Sequence, residues 1–187
     1  AEIVVDSSKA PAYGFALSLI PDVELSVLLM VRDPRGVAYS WLRPKADPGR
    51  AGGYMKRFGA TSSSVLWLTW NGATERLLKG RATRFAVLRY EDFAREPEAS
   101  VGRIVSWLDL GPRDLPFDGP RTVVLAPTHT TSGNPDRERT GPVPIRLDQR
   151  WRSELPAWRR ALVTALTWPM LARYGYVTAS AGGGTAR

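Results

Sequence analysis

Arg32 and Ser40 are the two residues whose types and spacing best fit chemistry with an anion. The run 25–31, LSVLLMV, is apolar enough to be a strand buried on both faces. It ends in Arg32, and Asp33-Pro34 then opens a helix, Asp being a good N-cap and Pro being pre-shaped for the first helical position. A strand that runs straight into a helix start leaves backbone N–H groups and a positive dipole end at the strand's carboxyl edge. In open α/β sheets that edge receives phosphorylated ligands. Arg32 stands there as a fork of donors that suits two oxygens at once. On the helix, Gly36, Ser40 and Arg43 share one stripe, and Val37 and Trp41 form an adjacent apolar stripe expected to face the core.

The elements that must position these residues follow from the rest of the chain. Residues 2–5 read as a short strand, 12–20 as an apolar helix broken by Pro21-Asp22, and 45–57 as a Gly/Pro/basic surface loop. A long helix is expected over 61–79, capped by Thr61 or Ser62 and stopped by Gly80, with Val65, Leu68, Ala73 and Leu77 on its inner stripe. A strand over 85–88 leads to YEDF at 90–93, a turn with helical tendency. Pro97 opens a further helix whose Val101, Ile104, Val105 and Leu108 face one way. Strands separated by helical patterns indicate a parallel sheet and an α/β fold. From 111 to 145 regular structure is scarce apart from a strand expected at 122–125. The segment 148–174 is helical, with Trp151, Leu155, Trp158, Leu162, Leu166 and Leu171 at core-like spacing. The expectation is one domain over 1–175 and a disordered tail over 176–187.

Composition narrows the function classes. The chain has 187 residues and a net charge of +8, carried almost wholly by arginine, whose planar fork suits phosphate or sulfate. Interleaved acids such as Glu75, Asp92, Glu96, Asp136 and Glu138 break up any continuous basic face, so nucleic acid is not the expected partner. There is no cysteine, which excludes disulfides and thiolate metal sites, and His129 is the single histidine. No run reaches the length of a membrane span, and the start lacks the order of a signal peptide. The opening AEIVVD, without Met and directly on an apolar run, looks like a fragment or a processed start.

Five motifs occur in a telling order: VVDSSKAP, LLMVRDPRGVAYSW, W-x-x-W-N in a helix, VLRYEDFAREP, and HTTSGNPDRERTG with Asp148 and Trp151 behind it. Together they resemble the C-terminal two-thirds of a sulfotransferase that uses 3′-phosphoadenosine 5′-phosphosulfate (PAPS), most closely the bacterial and carbohydrate-type enzymes, over residues 3–175. The resemblance implies a P-loop NTPase-like three-layer fold around a parallel sheet and transfer of a sulfuryl group from PAPS to an acceptor hydroxyl or amine. Adenosine 3′,5′-bisphosphate is then the product, and no metal is expected. It assigns Arg32 and Ser40 to the donor's 3′-phosphate and Tyr90 to the adenine and 3′-phosphate region. Arg137, Arg139 and Gly141 fall on a basic-glycine loop closing over the nucleotide phosphate, and residues 129–132 border the adenine. Asp92 is expected to order the YED turn.

The resemblance departs in two places. Relatives carry an acid in a Glu-Lys-x-Pro pattern after the first strand, and here Ser8 stands in its place. Asp6 is the nearest carboxylate, either the base for the acceptor proton or a helix cap, and Lys9 is placed to touch the sulfuryl oxygens or the acceptor. The glycine-rich 5′-phosphosulfate loop is expected upstream of residue 1, so the chain is expected to bind the 3′-phosphate end weakly and to turn over poorly or not at all. A non-catalytic nucleotide- or anion-binding remnant and a P-loop kinase-like enzyme stand as alternatives. A small-molecule, carbohydrate or lipid acceptor is expected, selected by loops at 45–60 and 112–128, with a cytoplasmic location.

Overall fold

The computed structural model describes residues 3–7, 10–45, 53–127 and 139–177. Strand β1 (Ser26–Val31) pairs in parallel with β2 (Arg84–Arg89), from Ser26 opposite Arg84 to Val31 opposite Arg89. A parallel pair requires a crossover. Here it consists of α2 (Pro34–Leu42) and the long α3 (Ala60–Leu78). Because the strands run the same way in this register, both carboxyl ends open at one edge: β1 into Arg32 and β2 into α4 (Tyr90–Arg95). The α/β class expected from the sequence is therefore present as a small parallel sheet with helices.

Helix α1 (Pro11–Leu17) precedes β1, and α5 (Pro97–Trp107) follows α4. A second sheet pairs β3 (Thr122–Leu125) antiparallel with β4 (Gly141–Pro144). The chain then forms α6 (Trp151–Glu154), breaks at Pro156, and ends in α7 (Ala157–Arg173). The core lies where α2, α3 and α7 meet the sheet. Val31, Trp67, Leu171, Tyr174 and Tyr176 form its largest buried cluster, with Leu29, Val37 and Met170 packed against it. Ala38, Ala60 and Val163 form a second cluster, and Tyr39, Trp151 and Leu155 a third.

Several expectations need correction. No strand forms at residues 3–5; Val4 and Val5 are 87% and 89% exposed, and among the described residues nothing pairs with the second edge of β1. A strand without a partner edge has neither ladder bonds nor a face to bury, so apolar residues alone do not hold it. Leu68 packs on the core as expected, but the buried face of α3 is Ala60, Ser63, Ser64, Trp67, Asn71 and Leu78, while Val65 faces solvent. Small polar residues serve there because their donors turn back onto the helix: Ser63 and Ser64 hydroxyls donate to the Ala60 carbonyl at 3.0 and 2.8 Å, and the Asn71 amide donates to the Trp67 carbonyl at 2.8 Å. On α2 it is Ala38 and Tyr39 that are buried, and Trp41 leans outward against Phe58 with ring centroids 5.0 Å apart. Pro156 divides the expected helix over 148–174. β4 forms inside what reads as a loop; its prolines 142 and 144 are exposed while Val143 turns inward opposite Val123, as prolines require at a sheet edge. Beyond α7, Tyr176 is 3% exposed and Val177 packs on the core.

Candidate anion-binding site at the strand ends

Asp33 caps α2 as its residue type demands. Its Oδ1 accepts from the Arg35 backbone N–H at 2.9 Å, and Pro34 occupies the first turn. The Arg35 guanidinium closes back on the same carboxylate, Nε to Oδ1 at 2.9 Å and Nη2 to Oδ2 at 2.7 Å. The junction is locked from across the sheet by Glu91, 8% exposed, in the first turn of α4. Glu91 Oε1 accepts from the Asp33 backbone N–H at 3.1 Å, and its Oε2 accepts from the Tyr176 hydroxyl at 2.6 Å. The same Tyr176 oxygen lies 3.0 Å from the Val31 carbonyl, and the Trp67 indole N–H donates to the Arg32 carbonyl at 3.0 Å. The turn out of β1 is therefore gripped by side chains from α3, α4 and the segment after α7.

The Arg32 guanidinium rises from this base. It lies over the Tyr90 ring, 4.6 Å from the centroid, which favours the cation over the π-face. Its Nη2 donates to the Asp148 carbonyl at 3.3 Å and lies 3.7 Å from Asp148 Oδ2. The Tyr90 hydroxyl donates to the Arg146 carbonyl at 3.4 Å and accepts from the Asp148 backbone N–H at 3.5 Å. Gly36 makes the close packing possible: a Cβ there would stand 3.1 Å from Trp151 Cδ1 and 3.2 Å from Arg32 Nε. Trp151 is buried at the start of α6 and also carries Arg35 over its ring at 4.8 Å.

Charge is unevenly spent across the cluster. Asp148 is forked by Arg150, Nε to Oδ1 at 3.0 Å and Nη2 to Oδ2 at 3.1 Å, and it also accepts from the Arg150 backbone N–H at 3.2 Å. That hydrogen bonding holds the Asp148 carboxyl down at about 2, with the Arg32 charge adding to it, and raises the Arg150 guanidinium in turn. Burial, then the bond to Glu91, raises the Tyr176 hydroxyl well above its ordinary range. Tyr39 donates to Glu154, a contact that raises the Tyr39 hydroxyl and ties α2 to α6.

The residues expected to act fall into three groups. Arg32 and Tyr90 meet directly. Ser40 sits on α2 one turn beyond Gly36 and is exposed, and Gly141 opens β4 with φ +79° while Arg139 is exposed just before it. Asp6 lies in the exposed stretch before α1, outside any helix or strand. Lys9, Arg137 and residues 129–132 lie outside the described residues. Asp92 accepts from Arg95 at 2.7 Å and lies 3.5 Å from Arg89 Nε, so it does order its own turn. Glu91, Tyr176 and Gly36 form a unit with the junction that sequence spacing does not reveal. The one signal for Glu91 was an acid at a strand-to-helix junction beside a residue already of interest.

Residues 11–119, more than half of the chain and including Arg32, Ser40 and Tyr90, match the family model described as sulfotransferase domain. The chain belongs to the sulfotransferase family. Membership makes it a transferase domain whose chemistry is sulfuryl transfer. No curated protein and no solved structure matches it. Among the described residues of this sulfotransferase, no helix is long and apolar enough to cross a membrane, and no group of three His, Cys, Asp or Glu side chains is placed to hold a metal ion.

Proposed function

We propose that the chain serves sulfuryl transfer from PAPS to an acceptor hydroxyl or amine, and that the strand-end junction receives the donor's 3′-phosphate. The observation that carries the reading is Arg32, fixed at the carboxyl end of β1 over the Tyr90 ring and inside the family match. A P-loop NTPase-like organisation belongs to the same proposal, as does a cytoplasmic location. Ser40 would add a hydroxyl to the phosphate from α2. Arg137, Arg139 and Gly141 would close over it from the chain entering β4, with glycine allowing the backbone near an anion.

The chemistry needs cations and N–H donors more than covalent help. The acceptor oxygen or nitrogen attacks sulfur in line, the bond to the nucleotide phosphate breaks, and charge spreads over the sulfuryl and bridging oxygens. Asp6 is the proposed base for the acceptor proton, a role that contributes ~10²–10⁴-fold where it operates. Lys9 is proposed to meet the sulfuryl oxygens or the acceptor. The acceptor is a small molecule, carbohydrate or lipid, chosen by the segments 45–60 and 112–128.

Calorimetry with adenosine 3′,5′-bisphosphate and with ADP tests the donor pocket. The bisphosphate is expected to bind more tightly, and Arg32→Ala is expected to cost about 1.5–3 kcal/mol of that binding, the range for a charge-assisted hydrogen bond, with the fold intact. Preference for ADP, or unchanged affinity in the variant, overturns the reading. A second reading, a non-catalytic remnant that keeps the pocket, draws support from the placement of Asp6 on an exposed stretch outside any strand. PAPS-dependent turnover by this chain excludes that reading.

A further inference from the structure

Arg32 already has an anion beside it, and the contact is poor. A guanidinium meets a carboxylate best at about 2.7–2.9 Å with two parallel bonds. Here Arg32 Nη2 stands 3.7 Å from Asp148 Oδ2 and reaches the Asp148 carbonyl only at 3.3 Å. The good bonds of that carboxylate go elsewhere: both oxygens are forked by Arg150, and Oδ1 takes the Arg150 backbone N–H as well. Asp148 therefore loses little if Arg32 turns away, while Arg32 has most of its five donors left to offer an incoming group. Arg32 and Asp148 are both partly open to solvent, at 23% and 28% side-chain exposure, so a ligand oxygen can reach the gap between them.

We infer that Asp148 is an internal counter-ion of Arg32 that a ligand phosphate displaces, which makes it a specificity-determining residue of the donor pocket. The inference rests on the proposed placement of the 3′-phosphate at Arg32. A phosphate dianion that presents two oxygens to the guanidinium replaces one long contact by two short ones. A nucleotide with a bare 3′-hydroxyl cannot do so, and for it Arg32 stays with Asp148. Arg150 holds the displaced carboxylate, so Asp148 does not follow Arg32 into the ligand. The carboxylate thus sets a threshold that only the 3′-phosphorylated nucleotide passes. The segment leading from β4 into α6, which carries Asp148, is released from Arg32 in the same step.

Calorimetric titration with adenosine 3′,5′-bisphosphate and with adenosine 5′-phosphate decides it. Asp148→Asn keeps the shape and the acceptor oxygen for the Arg150 N–H. It is expected to raise bisphosphate affinity on the order of three- to tenfold, the scale of one partly exposed charge contact, and to raise 5′-phosphate affinity less. Asp148→Ser is expected to show the same gain if the asparagine variant does not fold. An equal rise for both nucleotides is a general charge effect and overturns the inference, as does an unchanged or lowered bisphosphate affinity. Arg150→Ala is expected to weaken bisphosphate binding by freeing Asp148 to turn onto Arg32, and that loss is expected to vanish in the Asp148→Asn background. Its persistence there overturns the role given to Arg150. Arg32→Ala separates the two levels. If it removes bisphosphate binding while Asp148→Asn gains nothing, only the counter-ion inference fails; if it changes nothing, the donor-pocket reading itself fails.

Discussion

The strand-end junction and the stretch over residues 3–7 stand at opposite extremes of how this chain holds a side chain in place. At the junction, the turn from β1 into α2 is bonded from α3 by Trp67, from α4 by Glu91 and from beyond α7 by Tyr176. Asp6 lies on an exposed stretch with Val4 and Val5 turned to solvent. The first arrangement fixes the backbone that carries Arg32 through partners far away in sequence, and rigid elements place a binding group more precisely than a loop does. The second places a carboxylate on an exposed stretch outside any strand or helix. The proposed affinity for the donor's phosphate and the proposed activation of the acceptor are therefore expected to be separable, because one is placed on a bonded junction and the other on an exposed stretch.

The largest effect that breaks the comparison is expected at Glu91. Glu91→Ala leaves the Asp33 N–H without its buried acceptor and the Tyr176 hydroxyl with only the longer contact to the Val31 carbonyl. Each such loss costs about 1–3 kcal/mol, so the variant is expected to lose ~3 kcal/mol of stability in urea unfolding. Glu91→Gln keeps one acceptor and is expected to lose less than half of that. If both variants unfold like the parent chain, the junction is not over-determined and the contrast with the 3–7 stretch collapses.

A smaller effect is expected from protonating Asp148. Its carboxyl is held at about 2, below the ordinary aspartate value, chiefly by the Arg150 hydrogen bonds. A depressed value means that the contribution is fully present above the unfolded-state value near 4 and is lost as pH falls through about 2. After allowance for solvent screening that contribution is about 1 kcal/mol. The urea midpoint of the parent chain is expected to exceed that of Asp148→Asn at pH 6, and the gap is expected to close between pH 4 and pH 2. A gap that stays constant over that range assigns the stabilisation to something other than the ionised carboxylate. Above pH 4 the variant that binds the bisphosphate more tightly is thus expected to be the less stable one, as displacement of an internal counter-ion requires.

What could be read beforehand follows the same division. Asp33-Pro34 specified the start of α2 locally, and the apolar run before it specified β1, because a cap and a buried strand are written in neighbouring residues. The meeting of Arg32 with Tyr90 needed only a parallel register, which the alternation of strands and helices already implied. Glu91 and Tyr176 escaped notice because their partners lie 58 and 145 residues away, at Asp33 and Val31. The inner face of α3 was misread for another reason: Ser63, Ser64 and Asn71 look like a wet face until their back-bonding is seen. β4 was hidden by its two prolines, which an edge strand tolerates and a central one does not. Residues 3–5 had the apolar pattern of a strand, yet pattern does not supply a partner edge.

The smallest structural effect, and the sharpest test of separability, is expected at Asp6. Most substitutions at exposed positions change stability by no more than about 0.5 kcal/mol. Asp6→Asn is therefore expected to match the parent chain both in urea midpoint and in affinity for adenosine 3′,5′-bisphosphate. If Asp6 takes the acceptor proton, the same variant lowers PAPS-dependent kcat by ~10²–10⁴-fold with little change in donor KM. A shift in the urea midpoint, or in bisphosphate affinity, would tie Asp6 to the junction and end the claim that the two regions act independently. An unchanged kcat in a chain that does turn over removes Asp6 as the base and leaves the separation of binding from chemistry standing, because that separation rests on how the two stretches are held rather than on which group takes the proton.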